Sequence, residues 1–279
     1  METKGRRNME NSIRAASGFI AAAAIVLTVW VSPALADFES GWQAYQRGDF
    51  AGALKEWQPL AQSNDARAQY NLGILYDQGK GVDADRKQAA ALWQKAALAG
   101  YAPAQHNLAS NLISGDGVEQ DYEAVLKWLN KASDSGLARS SYTLGKMYHY
   151  GLGVPKDVER AFALFLKAGE QGYDRAQYNL GKTYRDGDGT EKNLVEAVKW
   201  YRKAAEQGYA KAQSSLGVRY ARGEGVAKDE VQALMWTILA ANQGLKRAVD
   251  DRAYLAKGLS PENVAQAEKL AANWKPTAR

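Results

Sequence analysis

The chain of 279 residues contains no cysteine. That excludes a disulfide framework, thiol chemistry and a lipid-modified N-terminal cysteine. Histidine is almost as scarce. His106 and His149 are the whole supply, and with no cysteine to join them they make no metal site of the usual composition. No serine is followed by lysine three residues later, and no Gly-x-Ser-x-Gly elbow occurs, so both of those serine-nucleophile arrangements are missing. The six prolines build no linker, and no domain boundary shows in the middle of the chain. An excess of one charge is absent too. The net charge is +5, and residues 37–279 hold 32 basic against 29 acidic residues. That balance, with acids and bases interspersed, gives no footprint for nucleic acid.

Two fragments of binding motifs fail on inspection. Asp186-Gly187-Asp188-Gly189 begins like a calcium loop, then places Thr190 and Glu191 where an oxygen ligand and the sharp-turn glycine belong. The Gly-x-Gly-Val phrases follow helices rather than strands, which removes the phosphate-loop reading. No cofactor is called for.

What the chain has is one phrase, repeated. Leu72-Gly73-Ile74-Leu75-Tyr76-Asp77-Gln78-Gly79-Lys80-Gly81-Val82 returns over residues 108–118, 144–154, 180–190 and 216–226, at a step of 36 residues without insertion. A fixed period of that size is the signature of a solenoid. Ala68, Leu72, Leu75 and Tyr76 give a first helix, helix A, an apolar stripe. Gly73 inside it costs about 1 kcal/mol relative to alanine, so a close approach by the neighbouring helix is expected there. Gly79 and Gly81 suit a left-handed cap and tight turn. Asp85, Asp121, Asp157, Asn193 and Asp229 are then N-caps for a second helix, B. Helix B carries a bulky pair: Leu92/Trp93, Trp128/Leu129, Leu164/Phe165, Trp200/Tyr201 and Trp236/Thr237. The expected fold class is all-α, a solenoid of helix-turn-helix units.

The regular array covers residues 65–247. Residues 37–64 read as an atypical N-terminal capping pair, with Arg47-Gly48-Asp49 as its turn. Residues 248–279 read as C-terminal capping helices, in which Ser260-Pro261 starts a helix whose inner face is Val264, Ala267, Leu270, Ala271 and Trp274. Residues 1–36 read as an export signal. A basic stretch ending at Arg14 precedes an apolar run over residues 15–31, and Ala34-Leu35-Ala36 fits cleavage after Ala36. The alternative is an uncleaved anchor, since the run approaches the length that spans a bilayer. Met9 is a second candidate start. The expected location is periplasmic or secreted.

Ala66-Arg67-Ala68-Gln69-Tyr70-Asn71-Leu72-Gly73, Gly79-x-Gly81-Val82-x-x-Asp85 and Trp200-Tyr201-Arg202-Lys203-Ala204-Ala205-Glu206-Gln207-Gly208-Tyr209 resemble Sel-one-like repeats (SLR), relatives of tetratricopeptide repeats. The resemblance implies a right-handed α/α superhelix acting as a non-enzymatic scaffold or adaptor that binds a protein on its concave face. Exported relatives imply a membrane sensor or an envelope complex as the partner. A cell-wall hydrolase or accessory factor is the alternative, although no converging acidic pair is visible. The pattern departs at Ala109, Asn111, Leu112 and Val125 in the second repeat, at Thr190 in the fourth and at Arg219 in the fifth.

With helix A lining the inside of the curve, positions not used for packing stack from one repeat to the next. Tyr70, His106, Tyr142 and Tyr178 form an aromatic row, and Lys146, His149, Lys182 and Arg185 form a basic middle. Tyrosine and arginine are enriched where interfaces hold their energy, which makes these eight the candidate partner-binding residues. The alternative is that the tyrosines pack between adjacent A helices and that the basic residues are a solvated face.

Overall fold

The structure, a computed structural model, describes residues 37–277. The expected export signal over residues 1–36 lies outside the described residues. Among those described, every regular element is an α-helix, and none is long and apolar enough to cross a membrane.

A short pair, α1 (Phe38–Gln46) and α2 (Phe50–Gln62), opens the array. Five regular pairs follow: α3 (Ala66–Gln78) with α4 (Arg86–Leu98), α5 (Ala102–Ser114) with α6 (Tyr122–Asp134), and α7 (Ala138–Tyr150) with α8 (Val158–Glu170), then α9 (Asp174–Asp186) with α10 (Leu194–Glu206), and α11 (Ala210–Arg222) with α12 (Glu230–Asn242). Two more helices, α13 (Lys246–Gly258) and α14 (Pro261–Asn273), close it. Each helix up to α13 packs on its neighbours in sequence.

The glycine turn is built as its chemistry requires. Gly79 ends α3 in the left-handed region at φ 63° and donates its N–H to the Leu75 carbonyl. Asp85 then works twice: its own N–H reaches the Tyr76 carbonyl at 2.9 Å, and its carboxylate takes the Gln88 N–H at 2.9 Å. Asp121, Asp157, Asn193 and Asp229 repeat both bonds. The second glycine has a further role. A Cβ on Gly81, also at positive φ, would strike the backbone at Phe50 of the preceding pair, so it sets how closely one unit approaches the last.

The glycine inside helix A answers to an aromatic ring. A side chain at Gly73 would collide with the Trp93 indole, at Gly145 with Phe165, and at Gly181 with Tyr201. Repeat two uses the complementary choice: Ala109 stands where glycine is usual, Leu129 takes the aromatic position, and both are fully buried in one cluster. That departure is a packing solution.

A feature not foreseen from sequence is the buried amide of α3, α5, α9 and α11. The Gln69, Gln105, Gln177 and Gln213 side chains donate to the carbonyls of Ala61, Ala97, Gly169 and Ala205 at 3.0–3.2 Å, clamping the turn before each of those helices. Repeat three replaces the clamp with a 2.7 Å Ser133–Ser141 hydroxyl pair.

The C-terminal end differs from a plain cap. α13 occupies the next helix-A position at the 36-residue step, but only Leu259 and Ser260 separate it from α14, against seven residues in a regular turn. With so short a link, α14 folds back onto α12. α12 is consequently buried at every position from 233 to 240. Ala267 and Ala271 face inward as expected and Trp274 meets Trp236 edge to face at 6.2 Å, but Leu270 is 38% exposed and does not belong to the inner face. Beyond the helix, Thr277 donates its N–H to the Glu206 carbonyl at 2.9 Å.

Candidate functional site

Packing consumes one side of each A helix: in α3, Ala68, Gln69, Leu72 and Leu75 are buried, while Arg67, Tyr70, Ile74 and Gln78 are exposed or half-buried. Because the step is constant, the open sides of α3, α5, α7, α9, α11 and α13 carry matching positions that stack into rows.

The tyrosine row is present but is not free. Tyr70 meets Tyr101 edge to face at 5.3 Å, Tyr142 meets Tyr173 at 5.2 Å and Phe165 at 5.9 Å, and Tyr178 meets Tyr209 at 5.4 Å and Tyr201 at 5.9 Å. Each ring therefore bridges one A helix to the N-cap residue of the next. Burial pushes the Tyr142 hydroxyl up to about 12. These rings are half-buried mortar between the units. In the same row His106 shares a 2.9 Å hydrogen bond with Ser140 of the next A helix. Desolvation, and secondarily the Arg139 charge, lower its pKa to about 4.

The four basic residues are not equivalent. Lys146 is exposed and Lys182 is half-buried. His149 Nδ1 lies 3.3 Å from Asp188 Oδ2. Arg185 grips Asp186 with Nε at 2.6 Å and Nη2 at 2.5 Å. That bidentate bond holds the Asp186 carboxyl below its ordinary range. Half of the basic middle is thus tied to acids beside it.

A second basic row sits one turn before the tyrosines, nearer the helix starts; in it Arg67 is paired with Asp65 at 3.0 Å and Arg247 lies 3.7 Å from Asp251. Arg67, Arg139, Arg175, Lys211 and Arg247 occupy the second position of α3, α7, α9, α11 and α13, with Pro103 in α5. All five are exposed except Arg139, which is half-buried and donates to the Pro103 carbonyl. Below them, Asn71 and Asn179 donate to their own helices at 2.8 Å, binding carbonyls of Arg67 and Arg175. The signal for this row was the basic residue at the second position of helix A, as in Ala66-Arg67-Ala68. Among the described residues, no three His, Asp or Glu side chains converge as a metal site would need.

Stacked helix pairs with an open, residue-rich face define an α-solenoid repeat protein, a class built to present surface. The Sel1 repeat family matches residues 66–101, 102–137, 138–173, 174–209 and 210–245, and the chain belongs to that family. Sel1 repeat proteins as a class mediate protein–protein interaction. A Sel1 repeat protein from Oxalobacter formigenes is 29% identical in sequence and superposes with a TM-score of 0.75, over 86% of this chain and 100% of that one. An immunity protein from Pseudomonas aeruginosa shares the fold at 20% identity and a TM-score of 0.51, over 76% of this chain and 83% of that one. Among curated proteins, none matches.

Proposed function

We propose that this chain is a non-enzymatic, exported scaffold that captures an acidic segment of a partner protein along the open side of its odd-numbered helices. The observation that carries the reading is the basic row Arg67, Arg139, Arg175, Lys211 and Arg247, running beside half-buried tyrosines. Aromatic rings next to guanidinium groups supply both area and charge to a bound segment. The location proposed is the periplasm, with a membrane sensor or envelope complex as the partner.

Crosslinking and pull-down from a periplasmic extract test it. Arg175→Glu with Lys211→Glu should abolish capture while helicity by circular dichroism stays unchanged. Undiminished capture by that variant would remove the reading. Tyr142→Ala is the poorer probe, because Tyr142 also holds two repeats together. Export is tested by N-terminal sequencing of the secreted chain, expected to begin at Asp37.

A further inference from the structure

Between α9 and α11 the open face has a crevice of about 80 Å³, lined by Arg185, Tyr201, Ser214, Ser215, Arg219 and Arg247. One repeat earlier the equivalent crevice, of about 90 Å³, is lined by His149, Phe165, Asn179, Lys182 and Thr183. The repeats provide their own comparison. Phe165 becomes Tyr201, which adds a hydroxyl to the floor, and Thr183 becomes Arg219, which adds a guanidinium to the wall. Tyr201 is fully buried and Arg219 is 8% exposed. The Tyr201 hydroxyl oxygen and Arg219 Nε are both buried with no hydrogen-bond partner among the described residues. Two polar groups introduced at one crevice and left unmatched there require an explanation.

We propose that this crevice is an oxyanion pocket that seats a side-chain carboxylate of the captured protein segment. Arg219 Nε can only donate and the Tyr201 hydroxyl can donate as well as accept, so an occupant with acceptor atoms satisfies both. The space suits a group of a few heavy atoms, since one water takes about 30 Å³ in the liquid. Acids already stand around the rim. Arg185 holds Asp186, Arg219 Nη1 meets Glu224 at 2.5 Å, and Arg247 Nε lies 3.7 Å from Asp251. A singly charged carboxylate tolerates those neighbours better than a phosphate dianion does. A trough of about 720 Å³ adjoins the crevice, sharing Val218 and Arg247 with it; Ala221, Tyr254, Leu255 and Leu259 line it beside the charged Arg222, Lys228, Glu230, Asp251 and Lys257. Tyr254 is 80% exposed. The segment therefore meets a mixed surface next to the acid that enters the pocket, with apolar contacts at Tyr254 and Leu255 and basic ones at Arg222, Lys228 and Lys257.

This proposal deepens the scaffold reading and rests on it for the identity of the occupant. The test needs no partner. Full chain labelled with ¹⁵N-arginine is titrated with sodium acetate at ionic strength held constant with chloride. The Nε–Hε signal lost in Arg219→Thr is followed. It should shift saturably, and Tyr201→Phe, which copies repeat three, should weaken acetate binding about tenfold, as expected for losing one hydrogen bond to a charged group. Three results would overturn the pocket: no shift, a shift that chloride reproduces, or an affinity unaltered in Tyr201→Phe. The first of these would leave ordered water as the occupant. Inorganic phosphate binding more tightly than acetate would reassign the pocket to free oxyanions and overturn the carboxylate. Saturation by acetate alongside failed pull-down would keep the pocket and sink the scaffold reading alone.

Discussion

His106 shows how one residue can matter to an interface without touching a partner. Its ring is hydrogen-bonded to Ser140 across the gap between α5 and α7, and desolvation with Arg139 nearby keeps it uncharged. The folded pKa of about 4 lies below the ordinary imidazole value of 6.5, so protonation favours the unfolded chain. Stability from the neutral ring is complete above pH 6.5 and drains away as pH falls toward 4. Between pH 7.5 and 4.5 the native chain should lose on the order of 2 kcal/mol more than His106→Gln does, a difference that urea melts at the two pH values would measure. Sequence placed His106 in its row but could not supply the bond, because Ser140 comes from the next repeat and from a position where alanine is usual. Gly73, Gly145 and Gly181 were legible in part: an approaching helix was foreseen, but which ring approaches depends on the rotation of helix B. Tyr201 and Arg219 were visible only as departures, and their convergence needs the fold.

At the scale of the element, the B helices were the most readable, since each is announced by an Asp or Asn four residues after the second glycine. The cap is local chemistry, so local sequence determines it. Asp157→Ala should cost about 1 kcal/mol through loss of the 2.8 Å bond to the Arg160 N–H, detectable as a lowered urea midpoint. Asp157→Asn should lose far less, because the amide oxygen accepts the same bond. The closing helices were less readable. Residues 248–279 carried the start signal of α14 at Ser260 and Pro261, and the structure uses it. Nothing local showed that α13 continues the array or that α14 turns back onto α12. That outcome follows from the two-residue link and from the apolar surface of α12, which only a long-range contact can cover.

Across the molecule, the core runs as four successive clusters that follow the chain: residues 44–92, 89–147, 148–200 and 197–271. Each cluster draws on neighbouring pairs, so stability is a sum of local terms and nearest-neighbour interfaces. Trp93, 3% exposed and donating to the Tyr70 carbonyl at 3.0 Å, is the floor of the first regular repeat. Trp93→Ala should cost roughly 3–5 kcal/mol and broaden the melt, with hydrogen exchange accelerating in α1 to α4 ahead of the remainder. Uniform acceleration along the whole chain would contradict this. The fixed period made this architecture plain from sequence, whereas the basic row at Arg67, Arg139, Arg175, Lys211 and Arg247 emerged only when the open side of the helices was known.

The two ends of such an array are not alike. By reaching from the far side of α12 to the last turn of α10, the chain behind Asn273 works as a strap over the fourth and fifth repeats. Hydrogen exchange should therefore be slower in α10 and α12 than in α1 and α2. The buckled end is the anvil that stays rigid, and it is the end that holds the Tyr201 crevice.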